Sequence, residues 1–151
     1  MIIFTDTREQ KNKHILDYFD KVGISHSRQT VNAGDYFNPG NPLVAVERKA
    51  NLQEVCGNLC QGKARFYREF DRAKAAGVKL TLLIEQGNIR QLSDVAKWQN
   101  PRLRDSPCAV TGRELMERLY KLKVTFGIDI LFCSKKDTGA MLIKLLGGSY
   151  E

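Results

Sequence analysis

The sequence predicts an α/β fold in which helices cover both faces of one β-sheet. Short apolar runs that are typical of strands alternate along the chain with segments of helical periodicity, and glycines follow several of these helical segments as stop signals. The 151 residues are enough for one domain with a real core, and no repeat, low-complexity tract or linker divides residues 1–151. We therefore expect a single domain.

The first half of the chain predicts three strands and three helices. In chain order they are a strand at 2–5, a helix at 11–22 that ends at Gly23, a half-exposed strand at 24–31, a strand at 43–49, and helices at 51–59 and 63–76. The helix at 11–22 is amphipathic, because its apolar residues recur at helical spacing. Asn51 is a good N-cap for the helix that follows the third strand.

The second half predicts two further strands. Residues 79–85 read as a buried central strand, followed by a short helix at 92–98 and a basic, proline-containing loop at 99–111. Thr111 and Glu114 have the spacing of a capping box, which opens a helix through Phe126 that Gly127 ends. A strand at 128–133 and a helix at 138–146 complete the prediction.

Charge narrows the class of partner. The net charge is +7 and the sequence pI is near 9.3, so a polyanion is the favoured partner, and nucleic acid is the usual one. The N-terminal residues lack the cationic start and apolar stretch of a signal peptide, and no apolar run is long enough to span a bilayer. We expect a soluble, cytoplasmic protein with no membrane partner.

The most informative segment joins Gly34-Asp35 to the strand that ends in Glu47-Arg48-Lys49. Side chains alternate across a strand, so Glu47 and Lys49 share one face and Arg48 takes the other. Two acids can hold a hard divalent cation, and a lysine can orient water or offset charge in the transition state. The pattern favours metal-assisted phosphodiester cleavage; an internal Glu47–Lys49 salt bridge is the structural alternative.

A second charged segment, Asp6-Thr7-Arg8-Glu9, follows the first strand. Asp6 is the third acid that could converge with Asp35 and Glu47. Arg8 could hold a phosphate or organise the carboxylates through charge-assisted hydrogen bonds. Turn formation by the acids and solvation of Arg8 and Glu9 at a helix start are the alternatives.

Taken together, these segments resemble the nuclease domain of XPF-type structure-specific endonucleases, a branch of the restriction-endonuclease-like PD-(D/E)XK fold. The family pattern is Asp-x-Arg-Glu, then Gly-Asp, then Glu-Arg-Lys-x-x-x-Asp. The resemblance extends through residues 65–70, the strand ending at Glu85 and the strand around Phe132. It implies a central mixed β-sheet flanked by helices on both faces, and a DNA endonuclease that depends on Mg²⁺ or Mn²⁺.

The resemblance also assigns roles. It implies that Asp35 and Glu47 are the principal metal ligands and that Lys49 is the catalytic lysine. Asp6, Arg8 and Glu9 are implied as supporting residues. Of these, Asp6 would support the metal and Arg8 would support catalysis.

One position departs from the family pattern, because Gln53 stands where the family has Asp. This substitution implies weaker metal affinity or inefficient cutting, and the neighbouring Glu54 could substitute only if the start of the helix shifted its register. The substitution keeps open a non-catalytic DNA-binding subunit with a degenerate nuclease site.

A basic helix is the expected DNA surface. The basic region comprises Lys63, Arg65, Arg68, Arg72, Lys74 and then Lys79, and Arg65, Arg68 and Arg72 share a stripe because residues three or four apart lie on one helix face. Glu69 and Asp71 are expected elsewhere on the helix. A second patch joins Trp98 to basic residues at 97, 102 and 104, where the indole could stack on a base or anchor the core.

The resemblance finally suggests the substrate and partners. XPF-type nucleases prefer branched or flapped DNA, and the helix-hairpin-helix module that assists them is absent from the sequence. We therefore expect substrate choice to come from the nuclease domain, a partner or a homodimer, for which the apolar helix at 138–146 is a candidate interface. Core packing is the other role of that helix. The context suggested is bacterial or phage recombination or repair, and an RNA-directed nuclease is a weaker alternative.

Overall fold

The computed structural model describes residues 1–147. They form one six-stranded sheet in the order β2-β1-β3-β4-β5-β6. The strands are β1 (Ile2–Asp6), β2 (Ser25–Gln29), β3 (Tyr36–Phe37), β4 (Val44–Lys49), β5 (Lys79–Glu85) and β6 (Asp129–Cys133). The helices are α1 (Lys13–Val22), α2 (Leu52–Cys60), α3 (Lys63–Ala75), α4 (Gly112–Phe126) and α5 (Thr138–Gly147). None of the helices in these residues has the length and apolarity that crossing a membrane requires.

These elements confirm the predicted mixed α/β fold, with three local differences. The two-residue strand β3 was not predicted, because it is too short to show a period-2 pattern. The half-exposed strand is shorter than predicted, and its five residues lie at the sheet edge. The segment predicted as a helix at 92–98 is a 3-10 helix, Leu92–Lys97, and it ends at Lys97 because the backbone of Trp98 is extended.

Because of the strand directions, acidic and basic residues lie together at one end of the sheet. β1 pairs with β2 in parallel, and β4, β5 and β6 are mutually parallel. The short strand β3 is antiparallel to both β1 and β4. The carboxyl ends of β1, β4 and β5 therefore lie beside the amino end of β3. This arrangement brings Asp6, Asp35, Lys49 and Glu85 to the same end of the sheet.

Each face of the sheet carries its own apolar core. On β5, Leu82 and Ile84 pack among residues of α2, α3 and α4, whereas Leu83 packs on the opposite face with α1 and α5. All three side chains are fully buried, and each such burial contributes about 1.5–3 kcal/mol. The two cores fix the face on which each side chain of the neighbouring strand β4 must lie.

The apolar residues of α5 are largely used within the protein's own core. Leu142 and Leu146 are fully buried, and Met141, Ile143 and Leu145 are half-buried against the same cluster. Core packing thus accounts for the apolar character of this helix.

Gly34 locks the loop before β3 onto β4. Its φ is +75°, and a Cβ there would lie 2.8 Å from the carbonyl oxygen of Val46. The next residue continues the contact, because the Asp35 N–H donates to the Val46 carbonyl at 2.7 Å. On the other side, the Asp6 N–H donates to the Asp35 carbonyl at 2.8 Å. Asp35 is thereby held between β1 and β4.

We expect Gly34→Ala to lower the free energy of unfolding by about 2–4 kcal/mol, because it adds both backbone strain and a clash with Val46. The matched control is Gly23→Ala. Gly23 has φ +80° but nothing within 4 Å of its Cβ position, so it should lose only about 1 kcal/mol. Urea unfolding of both variants measures the difference, and equal losses would contradict the close approach to β4.

Candidate active site

The pleat of β4 separates the three charged residues at its end. Glu47 and Lys49 lie on the face of α2 and α3, and the Lys49 Nζ is 3.3 Å from Glu47 Oε2. The same ammonium lies 5.1 Å from the centre of the Phe66 ring on α3. The predicted alternation is confirmed, and the Glu47–Lys49 ion pair that the sequence left open is also present.

Arg48 anchors the opposite face. Its guanidinium donates to Glu9 Oε2 at 2.6 Å and to Glu85 Oε1 at 2.7 Å. The second oxygen of Glu85 accepts from Thr138 Oγ1 at 2.5 Å and lies 2.7 Å from His14 Nε2. A buried arginine with two carboxylate partners has its charge satisfied. Arg48 therefore ties β4 to β5 and to the segment that carries Glu9.

Asp35 is brought beside Glu47 by the backbone of β4. The Arg48 N–H donates to Asp35 Oδ2 at 2.8 Å, so the carboxylate is attached to the strand one residue after Glu47. Together with the loop contacts of its own backbone, this bond fixes Asp35 on the face that carries Glu47.

Asp35, Glu47 and Lys49 open into one cavity of about 200 Å³ with an almost wholly charged lining. The residues that line it are Arg8, Glu9, Gly34, Asp35, Glu47, Arg48, Lys49, Glu54, Arg65, Glu69 and Arg72. Acidic and basic side chains interleave around it, which suits binding of both a hard cation and a phosphate.

Burial raises the pKa values of two cavity carboxyl groups, Asp35 and Glu47. Burial, followed by the negative charge of Glu9, raises the pKa of Asp35 to about 7. Burial and the charge of Asp35 hold the pKa of Glu47 well above its usual range. Burial disfavours the charge on Lys49, but the carboxylates of Glu47 and Glu54 outweigh it and raise the pKa of Lys49. The site therefore carries more negative charge than it can easily hold without a proton or a cation.

The donor set fits a hard divalent cation. Carboxylate oxygens are the ligands that Mg²⁺ and Mn²⁺ take in proteins. Within residues 1–147, no group of three His, Cys, Asp or Glu side chains is arranged to hold a metal. Mg²⁺ keeps several waters and needs only one or two carboxylates, so Asp35 and Glu47 suffice as candidate ligands.

Asp6 is not among the residues that line the cavity. Its Oδ2 accepts from the backbone N–H and the Nε of Arg8, at 3.0 and 2.8 Å, and its Oδ1 accepts from the Val31 N–H at 3.2 Å. Although burial acts the other way, the bonds from Arg8 lower the pKa of Asp6. The backbone of Asp6 thus adjoins Asp35, but its carboxylate is engaged by Arg8 and Val31 outside the cavity lining, where it orients Arg8, whose side chain is 68% exposed.

Glu69 was predicted to lie away from the arginine stripe of α3, and that prediction is wrong. It lines the cavity together with Arg65 and Arg72. The sequence spacing predicts this position, because Glu69 is four residues after Arg65 and three before Arg72 and so lies on the same helix face. Glu9 was named only as a supporting residue, and its bond to Arg48 could not be read from the sequence.

The departure at Gln53 lies outside the cavity. Gln53 is exposed and lines a different hollow, with Cys56 and Asn100. The neighbouring Glu54 lines the charged cavity, and its Oε1 accepts from the Ala50 N–H at 2.8 Å. Asn51 caps α2 as predicted, by accepting from the Glu54 N–H at 2.8 Å. Glu54, rather than Gln53, is therefore the acid that the start of α2 brings to the site.

The four predicted DNA-contacting residues are all exposed on α3. Arg65 and Arg72 line the cavity, whereas Lys63 and Arg68 lie outside it. Lys63 Nζ stands 5.3 Å from the centre of the Tyr67 ring. The basic surface of α3 thus runs outward from the charged cavity.

In the second patch, the structure bears out the core-anchor role of Trp98, and stacking on a base stays a prediction. The side chain of Trp98 is half-buried and packs against the core on the α2–α4 face. It also lines a separate cavity with Lys97. Arg102 and Arg104 lie exposed on the 3-10 turn Pro101–Arg104.

Comparison with known proteins adds family information. The family model of the ERCC4 domain matches residues 5–146. No curated protein matches the sequence. The fold is similar to that of XPF from Aeropyrum pernix, with a TM-score of 0.69 and 16% identity over 100% of this chain and 62% of that chain. A structure of XPF from Aeropyrum pernix in complex with DNA has a TM-score of 0.66 and 17% identity over 97% of this chain and 63% of that one.

We expect Asp35→Asn to stabilise the metal-free protein at pH 8 by about 1–2 kcal/mol, because it removes one of two crowded buried carboxylates. A raised folded-state pKa stabilises at low pH, and that contribution is lost as pH rises through about 7. The advantage of the variant should therefore shrink at pH 5. Thermal unfolding in EDTA at both pH values measures it.

The control for this comparison is Asp71→Asn on the exposed part of α3, which should change stability little at either pH. If Asp35→Asn were destabilising at pH 8, the crowding of negative charge in the cavity would be refuted.

Proposed function

Because the chain belongs to the ERCC4 domain family, we propose that it is a divalent-metal-dependent DNA endonuclease that cuts branched or flapped DNA in recombination or repair. The single observation that carries the proposal is the buried pair Asp35 and Glu47, whose pKa values are raised and which share a charged cavity with Lys49. The chain spans about three fifths of the length of the XPF chain that it matches. The substrate and partners proposed below are therefore argued from the residues of this chain.

Asp35 and Glu47 would hold Mg²⁺ or Mn²⁺. When bound, such a cation lowers the pKa of a water molecule and offsets negative charge on the phosphate. The Asp35 carboxylate is held by the backbone N–H of Arg48 and the Glu47 carboxylate by the Lys49 ammonium, so little reorganisation would accompany binding. Asp6 enters the proposal as a positioning residue that holds Arg8.

Lys49 and Arg8 would act on the phosphodiester itself. The raised pKa of Lys49 keeps it cationic at neutral pH, so it offsets developing charge or orients the attacking water and is not a general base. The exposed guanidinium of Arg8 would donate hydrogen bonds to a phosphate oxygen. Hydrolysis then needs no covalent intermediate with the protein.

DNA would be held by the basic surface of α3, through Lys63, Arg65, Arg68 and Arg72. Two of these arginines already line the cavity, so one strand can follow α3 to the carboxylates. A net charge of +7 supports such contacts in the cytoplasm, where the chain would meet DNA. A homodimer through α5 stays a prediction, and the core packing of that helix gives it no added support.

The alternative function is a DNA-binding subunit with a degenerate site. Gln53 is the observation that favours it, because the family pattern has Asp there. The position of Gln53 outside the charged cavity weakens this argument.

Incubation with labelled flap, fork and duplex DNA tests the proposal. With Mg²⁺ or Mn²⁺ we expect cleavage of the branched substrates and none in EDTA. Asp35→Asn, Glu47→Gln and Lys49→Met should each reduce the cleavage rate about 100-fold or more, because each removes a group that acts on the reacting phosphate. Their DNA affinities, measured by fluorescence anisotropy in EDTA, should change less than about threefold.

Gln53→Ala is the matched control, and it should cleave within about threefold of the wild-type rate because its side chain lines another hollow. Tight binding with no metal-dependent cleavage of any substrate would favour the non-catalytic subunit. Faster cleavage of RNA than of DNA would reassign the substrate.

A further inference from the structure

We propose that the cavity beside Trp98 binds an unpaired nucleobase of single-stranded DNA close to the cleavage site. This inference rests on the proposed function, since it gives the nuclease a means of recognising the unpaired strand at a branch. The cavity has a volume of about 480 Å³, within the range of small-molecule sites, and is separate from the charged cavity.

Trp98 offers a rigid stacking surface. Its side chain is half-buried against the core, and the residue lines the cavity. Its backbone N–H donates to Val95 at 2.9 Å, and its carbonyl lies 2.5 Å from where a Cβ on Gly112 would be, so α4 presses closely on this turn. A base would therefore stack without first ordering the indole. Among residues 1–147, no protein group accepts the indole N–H of Trp98.

Polar groups around Trp98 suit the edge of a base and its phosphates. Gln86 and Asn88 line the cavity and are joined by an Nε2-to-Oδ1 hydrogen bond of 3.1 Å, so their amides are held in place. Arg90 and Lys97 are exposed, and no carboxylate in the described part of the chain forms an ion pair with either. The one acid of the lining, Asp94, accepts from backbone N–H groups within its own turn. The free positive charge complements a phosphate backbone.

The position of the cavity ties it to the active site. Gln86 directly follows β5, whose residue Ile84 pairs with Lys49 on β4. Gln86 lies only two residues beyond Ile84, so this part of the cavity lies at the end of the sheet that carries Lys49. The Leu52 N–H also donates to Gln86 Oε1 at 3.0 Å, which joins the start of α2 to the rim of the cavity. A strand that passes the carboxylates would therefore be able to continue toward this cavity.

Duplex DNA is a poor occupant of such a cavity. A paired base must leave its stack before it can lie on the indole, which costs a few kcal/mol, whereas a base in a single strand is already free. The cavity thus distinguishes the two strands at a branch point without reading sequence.

Trp98 is the only tryptophan, so its fluorescence reports on the cavity directly. The protein is used as the Asp35→Asn variant in EDTA, so that no cleavage interferes. Titration with a 12-nucleotide thymidine oligomer should quench the fluorescence and protect it from acrylamide, whereas a covalently closed duplex should do neither. Quenching by the closed duplex alone, or no quenching by the oligomer, would overturn the proposal. Tighter binding of a uridine oligomer would overturn the assignment to DNA.

Substitution supplies an independent test. Trp98→Leu should weaken binding of the oligomer by about 5- to 150-fold, and Trp98→Phe should weaken it less because it keeps both the ring and the packing. Both should bind the closed duplex as the parent does. The control is Tyr120→Leu, which removes an exposed aromatic of α4 outside the cavity and should bind normally. Equal loss in the Leu and Phe variants would refute stacking.

The outcomes separate this inference from the proposed function. Metal-dependent cleavage of a flap, combined with Trp98 fluorescence that single-stranded DNA leaves unchanged, would overturn the cavity proposal and leave the nuclease intact. Quenching by the oligomer without cleavage of any substrate would support the cavity and remove the nuclease.

Discussion

The alternation of side chains along β4 is the constraint on which the rest of the site depends. Because successive residues face opposite sides of the sheet, the side chains of Glu47 and Lys49 lie on the face of α2 and α3, while the guanidinium of Arg48 turns toward Glu9 and Glu85. A shift of one residue in register would exchange the two sets. The cores on both faces prevent that shift, since Ala45 and Val46 are each buried in a different core.

The charges on the two faces of β4 are balanced in different ways. Arg48 is fully paired, which allows a buried cation to bind three segments together. On the other face, burial, followed by nearby carboxylate charge, raises the pKa values of Asp35 and Glu47, so that these two acids are under electrostatic tension when ionised. Such tension costs stability in the free protein and is typical of sites that are completed by a ligand.

Much of this arrangement could be predicted from the sequence. Local patterns were sufficient for the helix caps at Asn51 and Thr111 and for the alternation at the end of β4, because each depends on neighbouring residues. The antiparallel strand β3 was missed, and it is the element that brings Asp35 to the same edge as Glu47. The role of Asp6 beside Arg8 and the contribution of Glu69 depend on side-chain direction and on contacts between distant segments. For Trp98, the sequence predicted a core anchor or a ring that stacks on a base, and the structure shows a residue that packs against the core and also lines a cavity.

The central claim is that a divalent cation completes the pair Asp35 and Glu47, and proton release on binding tests it most directly. Calorimetric titration with Mn²⁺ at pH 6.5, in two buffers of different ionisation enthalpy, measures the protons released per cation. Because the pKa of Asp35 is raised to about 7, we predict binding with release of roughly half a proton or more, which Asp35→Asn should diminish. Absence of binding at millimolar Mn²⁺, or binding without proton release, would contradict the account.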